Sequence, residues 1–127
     1  MGKKDTKIRI GQQVLREDDL TFTVEYNEEI FTLRHPSPLD RTVIEAEISR
    51  RLGGASRDSY PGDHLTLVEA CTYIDHLLVR EESPEWFDSP WKCYDEECIG
   101  VLYRGYLQFR NEFQSKIKRG GLESAGP

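Results

Sequence analysis

Three histidines and three cysteines are the residues of this 127-residue chain that most invite a nucleophile or a metal ion. Cys93-x4-Cys98 would offer two thiolates to zinc, with His64 or His76 as a further ligand. The spacing matches no common zinc site, and Cys98 falls in the first turn of an expected helix. A cysteine is more often a small buried residue than a ligand, and Cys71 and Cys98 are expected to be that. A Cys-His hydrolase needs a thiolate of low pKa, an imidazole within reach and an oxyanion hole. Cys93 stands among acids, whose charge raises a thiol pKa, and His76 follows Asp75 on a polar helix face. Glu82 with Glu85, or Asp88 with Asp95, would be the pairs for a two-carboxylate glycosidase. A mostly helical chain of this length offers no evident long cleft for a glycan, and acids beside helix starts are usually caps or solvated faces. No catalytic residue, cofactor or metal is therefore expected. A Cys-His or carboxylate hydrolase remains as a secondary alternative.

Both tryptophans lie in EESPEWFDSPWKCYD, residues 81–95, where a Ser-Pro phrase occurs twice. Residues 81–97 carry seven carboxylates against Lys92 alone, which accounts for the whole formal charge of −6. An electronegative loop repels phosphates, so base stacking on Trp86 and Trp91 is excluded and a basic partner suits the surface better. In one reading Trp86, Phe87, Trp91 and Tyr94 fold into the groove between the second and third helices. Each ring would then bury ~150–250 Å², on the order of 4–6 kcal/mol before entropy is subtracted. In the other, one or both rings anchor a protein partner inside an acidic rim. Packing is favoured, because two exposed rings beside Phe87 invite aggregation, and a split of one ring inside and one outside satisfies both.

The elements that position these residues follow from periodicity and punctuation. In TFTVEYNEEIFTLRH, residues 21–35, a two-residue turn at Asn27-Glu28 sets Tyr26 opposite Glu29, Val24 opposite Phe31 and Phe22 opposite Leu33. Four apolar side chains then share one face, and Thr23 and Thr32 the other. Glu28 would need a positive φ in a type I′ turn, so a longer loop is the alternative. Residues 7–10, KIRI, offer a short third strand. Ser37, Pro38 and Asp40 read as cap, first helical residue and capping-box acid, and Gly53-Gly54 ends that helix, giving about 38–52. Leu39, Val43 and Ala46 lie on one side of it and Ile44, Ile48 and Leu52 nearly opposite. Such a helix is sandwiched within the fold or shares one stripe with another chain. A second helix spans about 65–81, with Thr66 and Glu69 as its capping box and Leu65 and Ala70 as a staple. Its stripe is Leu67, Cys71, Ile74, Leu77 and Leu78. The third, about 95–118, carries Ile99, Leu102, Tyr103, Tyr106, Phe109, Phe113 and Ile117 in a narrow arc, with acids first and bases last. Residues 1–19 are expected to be flexible or a short strand, and 120–127 a disordered tail. The fold class is α+β: an N-terminal antiparallel hairpin of two or three strands packed on three helices, as one domain over 20–119.

An odd number of cysteines without close pairing fits a reducing compartment. The opening residues lack an apolar stretch of signal-peptide length, and no run is long enough for a bilayer. In order, FTVEYNEEIFTLRHPSPLDRTVIEAEISRRLGG, the middle helix and ESPEWFDSPWKCYDEECIGVLYRGYLQFRNEFQ resemble the small proteins encoded among tail genes of tailed bacteriophages, and are most similar in organisation to tail assembly chaperones. The resemblance covers roughly residues 20–118 as an arrangement of segments. It implies a non-enzymatic, mainly helical protein in the cytoplasm of the bacterial host, binding a helical client such as the tape-measure protein and self-associating. No nucleic-acid or membrane partner is expected, from the acidic balance and the lack of a spanning run. The hairpin and the short tail depart from many such chaperones, which leaves a small structural virion protein, a connector or adaptor, as the alternative. The residues expected to meet a partner are Ile44, Ile48, Leu52, Trp86 and Phe87.

Overall fold

The structure, a computed structural model, describes residues 7–10, 13–16 and 20–118. Among these described residues, four strands come first: β1 Lys7–Ile10, β2 Gln13–Arg16, β3 Thr21–Tyr26 and β4 Glu29–Arg34. Three helices follow, α1 Pro38–Arg51, α2 Gly62–Leu77 and α3 Glu96–Lys118, with single 3₁₀ turns at Arg57–Ser59, Arg80–Glu82 and Pro90–Lys92. The class is α+β, as expected.

The β3–β4 hairpin has the expected register, with Tyr26 opposite Glu29, Val24 opposite Phe31 and Phe22 opposite Leu33. Its turn is the tight one: Asn27 and Glu28 take φ of 53° and 66°. A left-handed glutamate costs roughly 1–2 kcal/mol, which the correct seating of the apolar face outweighs. Residues 7–10 are a strand, but they are not the third strand of this sheet. They pair with residues 13–16 in a separate two-stranded ribbon. The expected disordered tail, 120–127, lies outside the described residues.

The outer edge of β4 is closed by a segment far along the chain. Leu33 bridges Leu78, and the Val79 amide donates to the Thr32 carbonyl at 2.9 Å. The Ser83 hydroxyl accepts from the Thr32 amide at 3.1 Å. This bridge is why α2 ends at Leu77 and not near residue 81: Leu78 must become extended to reach the strand. α2 also starts earlier than its sequence suggests, after Pro61, so the expected capping box is not formed. Thr66 lies one turn inside and donates to the Gly62 carbonyl, while Glu69 pairs with Arg57. The α1 capping box is present as read, with Ser37 and Asp40 satisfying each other's amides. Asp95 caps α3, its carboxylate accepting from the Cys98 amide at 3.3 Å.

The core is one cluster drawn from β4 and the three helices, including Phe31, Leu33, Ile44, Ile48, Ile74, Leu77, Leu102 and Tyr106, with β3 packed against it. β3 lies along α3. Phe22 stacks on Phe109 with ring centroids 4.5 Å apart, and the Tyr26 hydroxyl donates to Asp95 at 2.8 Å. Between those two contacts Val24 sits directly on Gly105: a Cβ at that glycine would lie 2.5 Å from Val24 Cγ2. Glycine inside a helix is unfavourable by about 1 kcal/mol against alanine, and here it makes room for the strand.

Gly105→Ala should therefore destabilise the domain by about 1 kcal/mol net, because overpacking of about 1–3 kcal/mol exceeds the propensity gain. In a Val24→Ala background the same change should become neutral or stabilising. Urea unfolding followed by tryptophan fluorescence reads both, and an equal effect in the two backgrounds would show that the interlock is not the constraint.

Candidate functional site

Four of the five residues expected to meet a partner are core residues. Ile44, Ile48, Leu52 and Phe87 are all at most 2 % exposed, so the structure corrects that expectation. α1 does carry two apolar stripes, but the one facing α2 and the hairpin is the branched, bulkier set, which removes more apolar surface from water than Leu39, Val43 and Ala46 would. The outward stripe is thus the other one. Leu39 is 72 % and Val43 50 % exposed, one helical turn apart, and Ala46 continues the line into solvent.

The tryptophan segment divides by ring. Trp91 is half-buried against the core, with the Arg51 guanidinium carbon 4.2 Å from its ring centre. Pro90 beside it is buried, and its carbonyl accepts from the Cys71 thiol. Trp86 is 56 % exposed. One side of it meets Phe31 and Phe87 edge to face, at centroid distances of 6.1 and 5.6 Å. Its indole N–H donates to Glu29 at 2.9 Å, which fixes the ring while leaving the rest of it open. The two Ser-Pro phrases have separate duties: Ser83 satisfies the β4 edge, and Ser89 caps the turn that carries Trp91.

A polar seam ties α1 to α2. Arg57 spans Glu45 at 2.6 Å and Glu69 at 3.2 Å, and the Tyr73 hydroxyl donates to the second Glu45 oxygen at 2.6 Å. Burial opposes ionisation of Glu45, but Tyr73 and Arg57 outweigh it and hold its pKa below the ordinary value. Burial, reinforced by Glu45, pushes Tyr73 up to about 12. Farther along the same helices, Glu47 accepts from His76 and Arg51 and is likewise held low, chiefly by His76.

His35, which the sequence marks only as the end of a strand, is the residue that reading missed. It is 8 % exposed and ringed by Tyr106, Phe109 and Phe113, the nearest centroid 5.0 Å away. Its backbone amide donates to the Leu20 carbonyl, but its Nδ1 is buried without a partner. Burial, then Arg110 and Arg41, lower its pKa to about 4. The aromatics of α3 were visible as a stripe; that they wrap an imidazole was not, because nothing local links residue 35 to residues 106–113.

The cysteines considered for catalysis neighbour one another, and the histidines are engaged with other residues. Cys71 and Cys98 are buried, and desolvation first, then neighbouring thiols and acids, raise them to about 11 and 12. The Cys93 thiol donates to the Asp95 carbonyl, His76 binds Glu47, and His64 stacks on Tyr60. Among the described residues no three His, Cys, Asp or Glu side chains are grouped to hold a metal ion, and no helix is long and apolar enough to cross a membrane. Comparison with protein-family models, curated proteins and solved structures finds no match to this chain.

The His35 environment sets a pH dependence. Between about pH 6.5 and 4 the unfolded chain binds a proton at His35 that the native state refuses, so stability is present above that window and falls as pH drops through it. The slope is at most about 1.4 kcal/mol per pH unit. Urea unfolding at pH 7.0, 6.0 and 5.0 should show this decline in the native protein and a flatter profile in His35→Gln, the carboxylates that begin to titrate near pH 5 being common to both. Parallel profiles would remove His35 as its source.

Proposed function

We propose that this chain is a non-catalytic assembly protein of a tailed bacteriophage, a tail assembly chaperone that holds a helical client such as the tape-measure protein. The observation that carries the reading is the outer face of α1. Leu39 and Val43 stand in solvent at helical spacing while the opposite stripe of the same helix is wholly buried. Two apolar side chains one turn apart are what an amphipathic client helix needs for its own i, i+4 anchors. Trp86 adds a second apolar anchor, held in place by Glu29 and rimmed by Glu85 and Asp88. Rim acids of this kind steer a basic or amphipathic segment more than they add affinity. The similarity in segment order to tail assembly chaperones supports the same role, and self-association through the α1 face belongs with it.

The test is to purify the protein from infected cells and identify what accompanies it by mass spectrometry. A long helical tail protein should co-purify, and the chain should be absent from finished particles. Finding it in particles at fixed copy number would replace the chaperone reading with that of a connector or adaptor. Leu39→Asp/Val43→Asp should release the client with an unchanged circular dichroism spectrum, since both positions are already in water. Ile48→Asp should instead unfold the domain, because it places an unpaired carboxylate in the core at a loss of several kcal/mol, on the order of 3–5.

A further inference from the structure

We infer that the corner where β4 runs into α1 and meets α3 is a binding site for a tetrahedral oxyanion, phosphate or sulfate in kind, held by Arg41, Arg110, the Tyr106 hydroxyl and His35 Nδ1. Three of these groups end in buried polar atoms with no hydrogen-bond partner: His35 Nδ1, Arg41 Nε and Tyr106 Oη. His35 and Tyr106 are themselves 8 % and 1 % exposed. Their rings are neighbours, with centroids 6.1 Å apart. Both guanidinium groups act electrostatically on both rings, which places them at the same corner. Arg110 lies near the Tyr106 hydroxyl without forming a well-directed hydrogen bond to it.

Buried polar groups in native proteins are almost always satisfied, and three orphans at one corner point to a shared acceptor. The charges agree. Arg34, Arg51, Arg57 and Arg80 each have a carboxylate within ion-pair distance. Among the described residues, Arg41 and Arg110 have none that close. Arg41 is engaged first by the Tyr73 hydroxyl and more weakly by Glu45, whose two oxygens are taken by Arg57 and Tyr73, and its Nε stays without a partner. The two guanidinium groups can only donate, and the phenol and an imidazole in its Nδ1–H form can each add one donor, which suits an anion with several acceptor oxygens. The site is thus a positive corner in a chain of net charge −6. It is independent of the α1 outer face and of the assembly role.

The experiment follows the His35 ring by NMR while inorganic phosphate, sulfate or acetate is added at constant ionic strength and pH 7. Phosphate and sulfate should shift the resonance saturably, and bound phosphate should raise the His35 pKa by about one unit, because an anion favours the protonated ring. Arg110→Gln should weaken binding about tenfold or more, while Arg50→Gln, at an exposed position near the far end of α1, should leave it unchanged. Tyr106→Phe guards against a folding artefact. It removes an unpaired hydroxyl, so it should be no less stable than the native protein without phosphate and should still lose affinity several-fold, about fivefold. A linear, non-saturating response overturns the site, as does saturation by acetate alone, or native affinity in both Arg110→Gln and Tyr106→Phe.

Discussion

The fold rests on the seating of one strand on one helix. β3 runs along α3 with Phe22 on Phe109, Val24 on Gly105 and Tyr26 on Asp95, so every second residue of the strand has its own contact on the helix or its cap. The glycine fixes the distance of approach, and the aromatic stack and the phenol hydrogen bond fix the direction. Once β3 is placed, the hairpin register places β4, and its inward residues Phe31 and Leu33 become the ceiling of the core. α1 leaves the end of β4 through His35 and Pro36, and so begins over the aromatic end of α3. The corner of His35, Arg41, Tyr106 and Arg110 is a by-product of that seating.

α1 and α2 are joined in a different manner. Their contact has an apolar side, where Ile44 and Ile48 meet the core, and a polar side, where Glu45 is shared by Arg57 and Tyr73. Partly exposed ion pairs contribute little individually. Their geometric content is larger: Glu45 can satisfy both partners in only one rotation of α1, and that rotation turns Leu39 and Val43 outward. The polar seam therefore selects which stripe of α1 is displayed.

Features set by local rules were legible in the sequence, and features set by choice between equals were not. The hairpin register followed from period-two alternation about Asn27-Glu28, and the start of α1 from Ser37, Pro38 and Asp40. The orientation of α1 was legible only in part: the greater bulk of Ile44-Ile48-Leu52 favours burying that stripe, but Leu39-Val43-Ala46 is apolar too, and the Glu45 contacts to Arg57 and Tyr73 that fix the rotation are tertiary. α2 offered Thr66 and Glu69 as a plausible cap, but both are used elsewhere, and its true end is dictated by the bridge from Leu78 back to Leu33 in β4. Of the four rings at 81–95 expected to pack inward, Phe87 and Trp91 do so while Trp86 and Tyr94 are exposed, and one tryptophan inside with one outside was among the anticipated arrangements. The pairing of residues 7–10 with 13–16 was missed because four-residue strands carry too little pattern to name their partner.

The closure of β4 by residues 78–83 and the seating of β3 on α3 also have a temporal side. The hairpin comes early in the chain, yet its supports lie 51 residues away at Ser83 and 69 away at Asp95. A chain emerging from the ribosome at roughly 5–20 residues per second exposes the hairpin for several seconds before α3 exists to receive it. Two strands alone are marginal in water, so the apolar face of Phe22, Val24, Phe31 and Leu33 must wait unformed or uncovered through that interval. Folding is then gated by synthesis of the last helix, and a ribosome pause or truncation before residue 105 would leave a nascent chain with its stickiest strand pair and nothing to lay it on.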